Sequence, residues 1–298
     1  MEFRNIFIER PAKLSVWKNQ LAIEQAERVT LPLEDISNVL LESREITITA
    51  YALSEMCRHG INLFVCDEKH LPNGTLLPFN CYCRQLKQLQ KQISLPKPLE
   101  KQLWKAIVVQ KIKNQAECLK LLGIDGWKEI FDISKSVTSG DEGNAEAVAA
   151  KKYFPLLFGQ GFKRSSGDIA NAALNYAYAI LRGVIARNLA VYGFEPCVGL
   201  HHCSQLNNFN LADDLIEPFR PFADLLVAGC AFSGNNLEPY MKHNLFNITN
   251  YLAEQKGKKF RMSAAVENCV ISLSQSLDAG KNMLDLPKLI PLEEYRYE

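Results

Sequence analysis

Three short stretches of the sequence hold side chains that could do chemistry together. The first runs Asp141-Glu142-Gly143-Asn144-Ala145-Glu146-Ala147-Val148-Ala149-Ala150-Lys151-Lys152-Tyr153-Phe154. Its alanines favour helix and Asn144 is a candidate N-cap. Projected as a helix, Ala149, Ala150, Tyr153, Phe154 and Leu157 share one face with Glu146. A carboxylate at the end of an apolar stripe is costly to bury alone. Glu146 is therefore either a functional group or a first-turn glutamate favoured by the helix dipole and left in water. The second stretch is Gly199-Leu200-His201-His202-Cys203, two adjacent histidines after a glycine turn. The third, Phe209 to Leu226, reads as a helix. It puts Asp213, Glu217, Arg220 and Asp224 on one stripe, opposite Leu215, Phe219, Phe222 and Leu226. Pro218 and Pro221 each remove a backbone donor and argue against an ordinary surface helix.

Two carboxylates with an imidazole suit a hard divalent ion. Mg²⁺ prefers oxygen ligands and keeps waters, and Mn²⁺ also accepts a histidine nitrogen. Such an ion can polarise a phosphodiester and stabilise attacking and leaving oxygens. There is no GKS/T phosphate loop, GxSxG elbow or HExxH zinc helix. That removes the motif support for ATPase, α/β-hydrolase and zincin chemistry.

The elements that must position these groups change character along the chain. Asn5–Glu9 and Lys13–Trp17 alternate apolar and polar residues, the period of a half-buried strand. Lys18-Asn19-Gln20 reads as a turn before Leu21–Ile23. Arg28–Leu33, Val39–Leu41 and Glu45–Thr49 read as further strands. Tyr51–His59 reads as a short helix stopped by Gly60, and Ile61–Asp67 as a buried strand. The Asn73-Gly74 dipeptide signals a hairpin. Near residue 80 the strands give way to helices, Arg84–Ile93 and Leu99–Leu122, split by Leu95-Pro96-Lys97-Pro98. From Arg84 to Lys128 there are ten basic and three acidic residues. This lysine-rich stretch is either a solvated face or a phosphate-facing surface. From Asn144 onward the chain reads as mostly helical.

At 298 residues, two domains are expected. Hydrophobic residues make up 47% and charged residues 22%, which excludes a disordered or fibrous chain. The net charge of +1 conceals the local basic excess, which acidic stretches such as Glu34 to Glu55 offset. Most of the nine dispersed cysteines are expected as free thiols. Cys81-Tyr82-Cys83 lacks a second pair at zinc-site spacing. No signal peptide is legible and no stretch reaches the ~20 apolar residues of a membrane span, so the chain reads as cytoplasmic.

The order of these features resembles the CRISPR-associated adaptation integrases, the "Cas-one" family, in the version accompanying type II systems. Four stretches between residues 45 and 221 carry the resemblance. They are Ile46–Thr49 with Gly60–Asp67 and Pro72; Glu146–Phe154; Asp168–Arg182; and Gly193-Phe194-Glu195-Pro196 through His201-His202 to Asp214–Pro221.

The resemblance implies an α+β fold: a small N-terminal β-rich, sandwich-like domain (1–80) used for dimerisation, a linker and first basic helix (81–98), and a larger all-α catalytic domain (99–298). It implies a divalent-metal site, Mg²⁺ or Mn²⁺. The family's glutamate lies seven residues before its Tyr-Phe, which selects Glu146. Ala147 stands where glycine is common, and Glu142-Gly143 offers an alternative register. The type II spacing pairs His202 with Glu217. Asp213, Asp214 and Asn171 are candidates for supporting that site. Lys151, Lys152, Lys163, Arg164 and Arg220 are candidates for the DNA path, with Lys256, Lys258, Lys259 and Arg261 as a later cluster. The implied reaction is transesterification, in which a 3′-hydroxyl of a foreign DNA fragment attacks a CRISPR repeat border. The implied partners are double-stranded DNA, a second copy of the chain and a small dimeric "Cas-two" protein, together a hetero-hexamer. Two other readings share these features: a generic metal-dependent DNA endonuclease, and a DNA-binding scaffold without catalysis.

Overall fold

A computed structural model of the chain describes residues 4–78, 84–230, 232 and 236–295. The period-2 segments form strands where the sequence puts them: β1 (Arg4–Ile8), β2 (Lys13–Trp17), β3 (Gln20–Glu24), β4 (Arg28–Pro32) and β5 (Ile36–Leu41). β6 shrinks to Thr47–Ile48, because Thr49 leaves the strand and caps the next helix by accepting from the Ala52 amide at 3.2 Å. Helix α1 (Ala50–Arg58) ends at Gly60, whose φ of 73° suits glycine. β7 (Asn62–Cys66) and β8 (Pro72–Thr75) follow. Asn73-Gly74 lies inside β8 rather than at the turn. The reversal is made instead by Asp67, whose carboxylate accepts from the Lys69 and Leu71 amides, both at 2.9 Å.

These strands make two sheets, ordered β1-β5-β7-β8 and β4-β3-β2-β6. Leu14, Val16 and Leu21 of one sheet and Ile8, Val39 and Leu63 of the other share a core with Met56 of α1. The arrangement is sandwich-like. Lys18 and Asn19, at φ of 50° and 59°, form the two-residue turn between β2 and β3.

Helices follow: α2 (Gln85–Ile93), α3 (Lys97–Leu121), α4 (Trp127–Lys135), α5 (Ala145–Phe158), α6 (Ile169–Val191), α7 (Asn210–Leu215), α8 (Arg220–Ala228), α9 (Pro239–Phe246) and α10 (Met262–Ala279). Two expectations change. The C-terminal part is not all-α, since β9 (Leu252–Gln255) and β10 (Lys258–Arg261) form a hairpin there. Lys256 and Gly257 both take positive φ at its turn, so the later basic cluster sits on a hairpin. The stretch from Phe209 to Leu226 is not one helix but α7, a 3-10 turn at Glu217–Phe219 and α8. Its supposed polar stripe is largely buried.

Helix α6 meets the length and apolarity of a membrane span, against the sequence expectation. It runs through the core, 61% of its most apolar window buried, and its composition follows from that position. The lysine-rich α3 is likewise a core helix, burying Leu103, Trp104, Ile107, Ile112 and Leu119, while Lys101, Lys105, Lys113 and Lys120 stay exposed. The larger core takes in Leu40 and Phe64 from the β1-β5-β7-β8 sheet, so that sheet packs against the helical part. Asn38 donates to Asn5 and Asn62 donates to Asn38, each at 2.7 Å, across β1, β5 and β7. Asn5 reaches Thr249 at 2.8 Å, and Lys242 meets Glu42 at 2.7 Å, tying the sheet to the helical part. Cys81 and Cys83 lie outside the described residues, and the seven other cysteines are free thiols.

Candidate active site

Glu146 stands in the first turn of α5. Asn144 takes a left-handed conformation and its side chain caps nothing. The capping falls to Asp141, whose carboxylate accepts from the Ala145 amide at 2.8 Å and the Glu146 amide at 3.0 Å. Backbone amides thus fix where Glu146 begins. Glu142 faces away, paired with Lys101 at 2.7 Å and exposed.

Glu217 reaches the same place from the 3-10 turn. Pro218 cannot continue a helix, and its carbonyl accepts from Asn114 of α3 at 2.7 Å. The two carboxylates converge on Lys111 of α3. Its ammonium donates to Glu146 Oε1 at 2.6 Å and contacts Glu217 Oε2. Arg220 Nε donates to Glu217 Oε1 at 2.9 Å. Burial pushes the Glu217 carboxyl up, but Arg220 and Lys111 outweigh it and hold it at about 2. Burial also pulls the Lys111 ammonium down, yet Glu217 and Glu146 leave it above the usual lysine value. Glu146 keeps about a quarter of its side chain exposed, at 25%.

The histidine pair is organised by Asp214, not by Asp213. Asp214 Oδ2 accepts from the Leu200 amide at 2.6 Å and the His201 amide at 3.1 Å. Its Oδ1 accepts from the His202 amide at 3.1 Å and meets His202 Nδ1 at 2.7 Å. A Cβ on Gly199 would lie 2.3 Å from the His202 carbonyl, so only glycine allows this loop to close. His201 stacks on Trp104 of α3, centroids 4.2 Å apart, and His202 meets the same ring edge-on. With Nδ1 engaged, His202 leaves Nε2 free of protein partners among the described residues. The Asp214 hydrogen bond raises its pKa above the usual value, partly offset by burial, with Glu217 adding to the rise. Asp213 is taken up by Arg182 at 2.7 Å and Asn207 at 2.7 Å.

The basic candidates divide. Lys111, Arg164 and Arg220 line a cavity of about 140 Å³ together with Glu217, Tyr178 and Asp224. Arg164 donates to Asn171 and, at 2.8 Å, to Asn175, and its guanidinium lies over the Tyr178 ring. Asn171 also donates to the Lys163 carbonyl at 2.8 Å, which fixes the loop before α6. Tyr178 and Tyr153 donate to Asp224, whose carboxyl burial pushes up to about 6. Lys151 and Lys163 are exposed with no ion pair among the described residues, and Lys152 reaches Glu129 at 3.6 Å. In the later cluster, Lys256 and Lys259 are paired with Asp285 and Glu293.

Among the described residues no three His, Cys, Asp or Glu side chains come close enough to enclose an ion. Glu146 and Glu217 are brought together, and His202 is not yet part of their set. The donors nevertheless fit a hard divalent ion in kind. Two carboxylates already gather on one positive charge, and Glu217 Oε2 is buried against the Lys111 ammonium. The sequence pattern does not single out Lys111, Asp141 or Trp104. One signal was present for Lys111: it falls on the apolar stripe of α3, seven residues after Trp104 and four after Ile107.

Residues 6–261 match the family model for CRISPR associated protein Cas1. The chain is 44% identical to the CRISPR-associated endonuclease Cas1 of Neisseria meningitidis serogroup C, with all of both chains covered. It is 29% identical to an endonuclease Cas1 of Pyrobaculum aerophilum, covering 74% of this chain and 80% of that one. Among solved structures it resembles a casposase bound to its integration product, with a TM-score of 0.76, 19% identity, and 96% and 93% of the chains covered. It also resembles a Cas1 protein from Thermotoga maritima, TM-score 0.71 at 16% identity, covering 95% and 98%. A Cas6-RT-Cas1–Cas2 complex matches at TM-score 0.70 and 15% identity, covering 97% of this chain and 36% of that one.

Proposed function

The chain belongs to the CRISPR-associated Cas1 family, and we propose that it is a divalent-metal-dependent DNA integrase that joins fragment 3′-ends to CRISPR repeat borders. The observation that carries this reading is the meeting of Glu146 and Glu217, far apart in sequence, on one cationic point. Glu146, Glu217 and His202 through Nε2 would hold Mg²⁺ or Mn²⁺. When bound, such an ion supplies a Lewis acid for a phosphodiester and lowers the pKa of an attacking hydroxyl.

The chain's own residues do the rest. Asp214 fixes the His202 ring through Nδ1 and leaves Nε2 available. Asp141 fixes the start of α5, and with it Glu146. Arg220, Arg164 and Lys111 line one cavity with positive charge suited to a phosphodiester. In the reaction one P–O bond forms and one breaks. The proton of the attacking 3′-hydroxyl is lost to solvent and the departing 3′-oxygen gains one. No net bond energy is needed from a nucleotide, consistent with the missing phosphate loop.

The family resemblance supports a working unit of a homodimer with the small Cas2 partner, in the cytoplasm, and the likeness to a Cas6-RT-Cas1–Cas2 complex supports the Cas2 partner. An endonuclease reading is favoured by the name of the 44% identical relative. It shares the site and differs only in using water.

One assay separates them. A short duplex with free 3′-hydroxyls is incubated with a repeat-containing plasmid, the Cas2 partner and Mn²⁺ or Mg²⁺. Joined products that vanish with chelator and in Glu146→Ala and His202→Ala are expected. Nicks without joining would favour the endonuclease, and full joining by Glu146→Ala would overturn the site.

A further inference from the structure

Lys111 is an unusual occupant for its position. It lies on the buried stripe of α3, is 7% exposed, and sits where Leu or Met would pack without charge. A buried ammonium is tolerated only where opposite charges meet it. Here Lys111 and Arg220 balance Glu146 and Glu217, so the four side chains are neutral together. Among the described residues, the ammonium is the cation that touches both carboxylates.

We infer that Lys111 is the resident counter-cation of the Glu146–Glu217 pair, and that a divalent ion binds by displacing it. The inference rests on the metal reading above and goes beyond it by assigning a competitor for the ion. Two observations carry it. First, the ammonium lies between the two oxygens that an ion would need. Mg²⁺ or Mn²⁺ approaches its oxygens to about 2.1 Å, so ammonium and ion cannot both sit there. Second, Lys111 has somewhere to go: it lines the 140 Å³ cavity that Arg164 and Arg220 also line. Loading the ion brings two positive charges to a cluster that is neutral without it. Arg164 already lends the cavity positive charge and the ion adds to it, so a DNA phosphate is held more tightly after the ion than before.

The test is Mn²⁺ binding to the full-length, metal-free protein, measured by calorimetry with no DNA present. Wild type, Lys111→Met and Glu146→Gln are compared. Removing a competitor for the same point should tighten Mn²⁺ binding in Lys111→Met by about tenfold, within the usual range of coupling between sites. Mn²⁺ should also raise its melting temperature more than it raises that of wild type. Glu146→Gln should weaken binding at least tenfold. Unchanged or weaker binding by Lys111→Met, with wild type binding normally, overturns the inference and leaves the metal site standing. Absence of Mn²⁺ binding in wild type overturns the metal reading itself. If Lys111→Met folds only when Mn²⁺ is added, the ion is replacing the lost ammonium, which supports displacement. If it fails to fold even with saturating Mn²⁺, displacement is excluded.

Discussion

Asp214 and Glu217 lie three residues apart and are both buried, at 0% and 4% exposure, yet they are held in opposite ways. Asp214 is saturated by the backbone: three amides and one imidazole claim both oxygens. Those donors belong to a loop that Gly199 allows to close tightly. Glu217 is held by two long side chains, Lys111 and Arg220. Fixed amides cannot leave, whereas an ammonium on a flexible stem can. Asp214 is therefore scaffold, while Glu217 is free to change partners. Burial alone does not distinguish them.

The largest effect should follow from the exchangeable one. Glu217→Gln removes a charge from the ion site but leaves Arg220 an amide oxygen and Lys111 its Glu146. Strand transfer should fall about 10³-fold, since the ion supplies several kcal/mol to the transition state. Circular dichroism should show a folded protein. Asp214→Ala should instead be felt first in stability. It strips the partner from the buried Leu200 amide and from the partly buried His201 and His202 amides, at a cost of about 2–4 kcal/mol by urea unfolding. If Asp214→Ala is as stable as wild type, or Glu217→Gln joins DNA normally, the contrast between the two carboxylates fails.

A smaller effect is read in pH. The Asp214 hydrogen bond holds the His202 pKa above the usual 6.5, so the folded state binds the proton more tightly than the unfolded chain does. The stability this provides is complete below pH 6.5 and is lost as pH rises through the folded-state value. NMR titration of metal-free protein should find the His202 midpoint above 6.5. In His202→Gln the corresponding decline in urea stability at alkaline pH should be reduced. A midpoint at or below 6.5 would mean that Asp214 serves the amides alone.

Much of the strand region was legible because alternation of side chains is a local property. β1, β2 and β4 follow from it, while β3, β5 and the Lys18-Asn19 turn follow from short apolar runs and turn residues, which are equally local. Asn73-Gly74 misleads because the same dipeptide also tolerates a strand, and an aspartate four residues before Leu71 makes the turn instead. The residues of the helical part were harder to place because their partners are distant. α3 exposes most of its lysines, so the whole set reads as a solvated face although Lys111 lies on the buried stripe. Glu146 and Glu217 were marked by the family pattern. No local period could show that a lysine from a third helix meets them both. The interruption at Pro218 was foreshadowed by the prolines, but its consequence, a carboxylate turned into the core, needed the packing of Asn114 against that turn.

The smallest predicted effect extends the contrast from carboxylates to cations. Arg164 is locked by Asn171 and Asn175 and stacked over Tyr178, so it offers its charge at a fixed point beside Glu217. Lys151 and Lys163 are exposed and hold no ion pair among the described residues. A phosphate contact made by any of them contributes counterion release, which lowers the slope of log binding constant against log salt by about one unit when it is lost. Arg164→Ala should lose that unit and also raise the KM for the DNA end. A fixed guanidinium positions a phosphate as well as attracting it. Lys151→Ala and Lys163→Ala should each lose up to one unit of slope with kcat unchanged, since a mobile ammonium attracts without orienting. Filter binding at several salt concentrations, beside strand-transfer kinetics, measures both quantities. Equal behaviour of the three variants would show that locking Arg164 with two asparagines serves the loop before α6 and not the DNA.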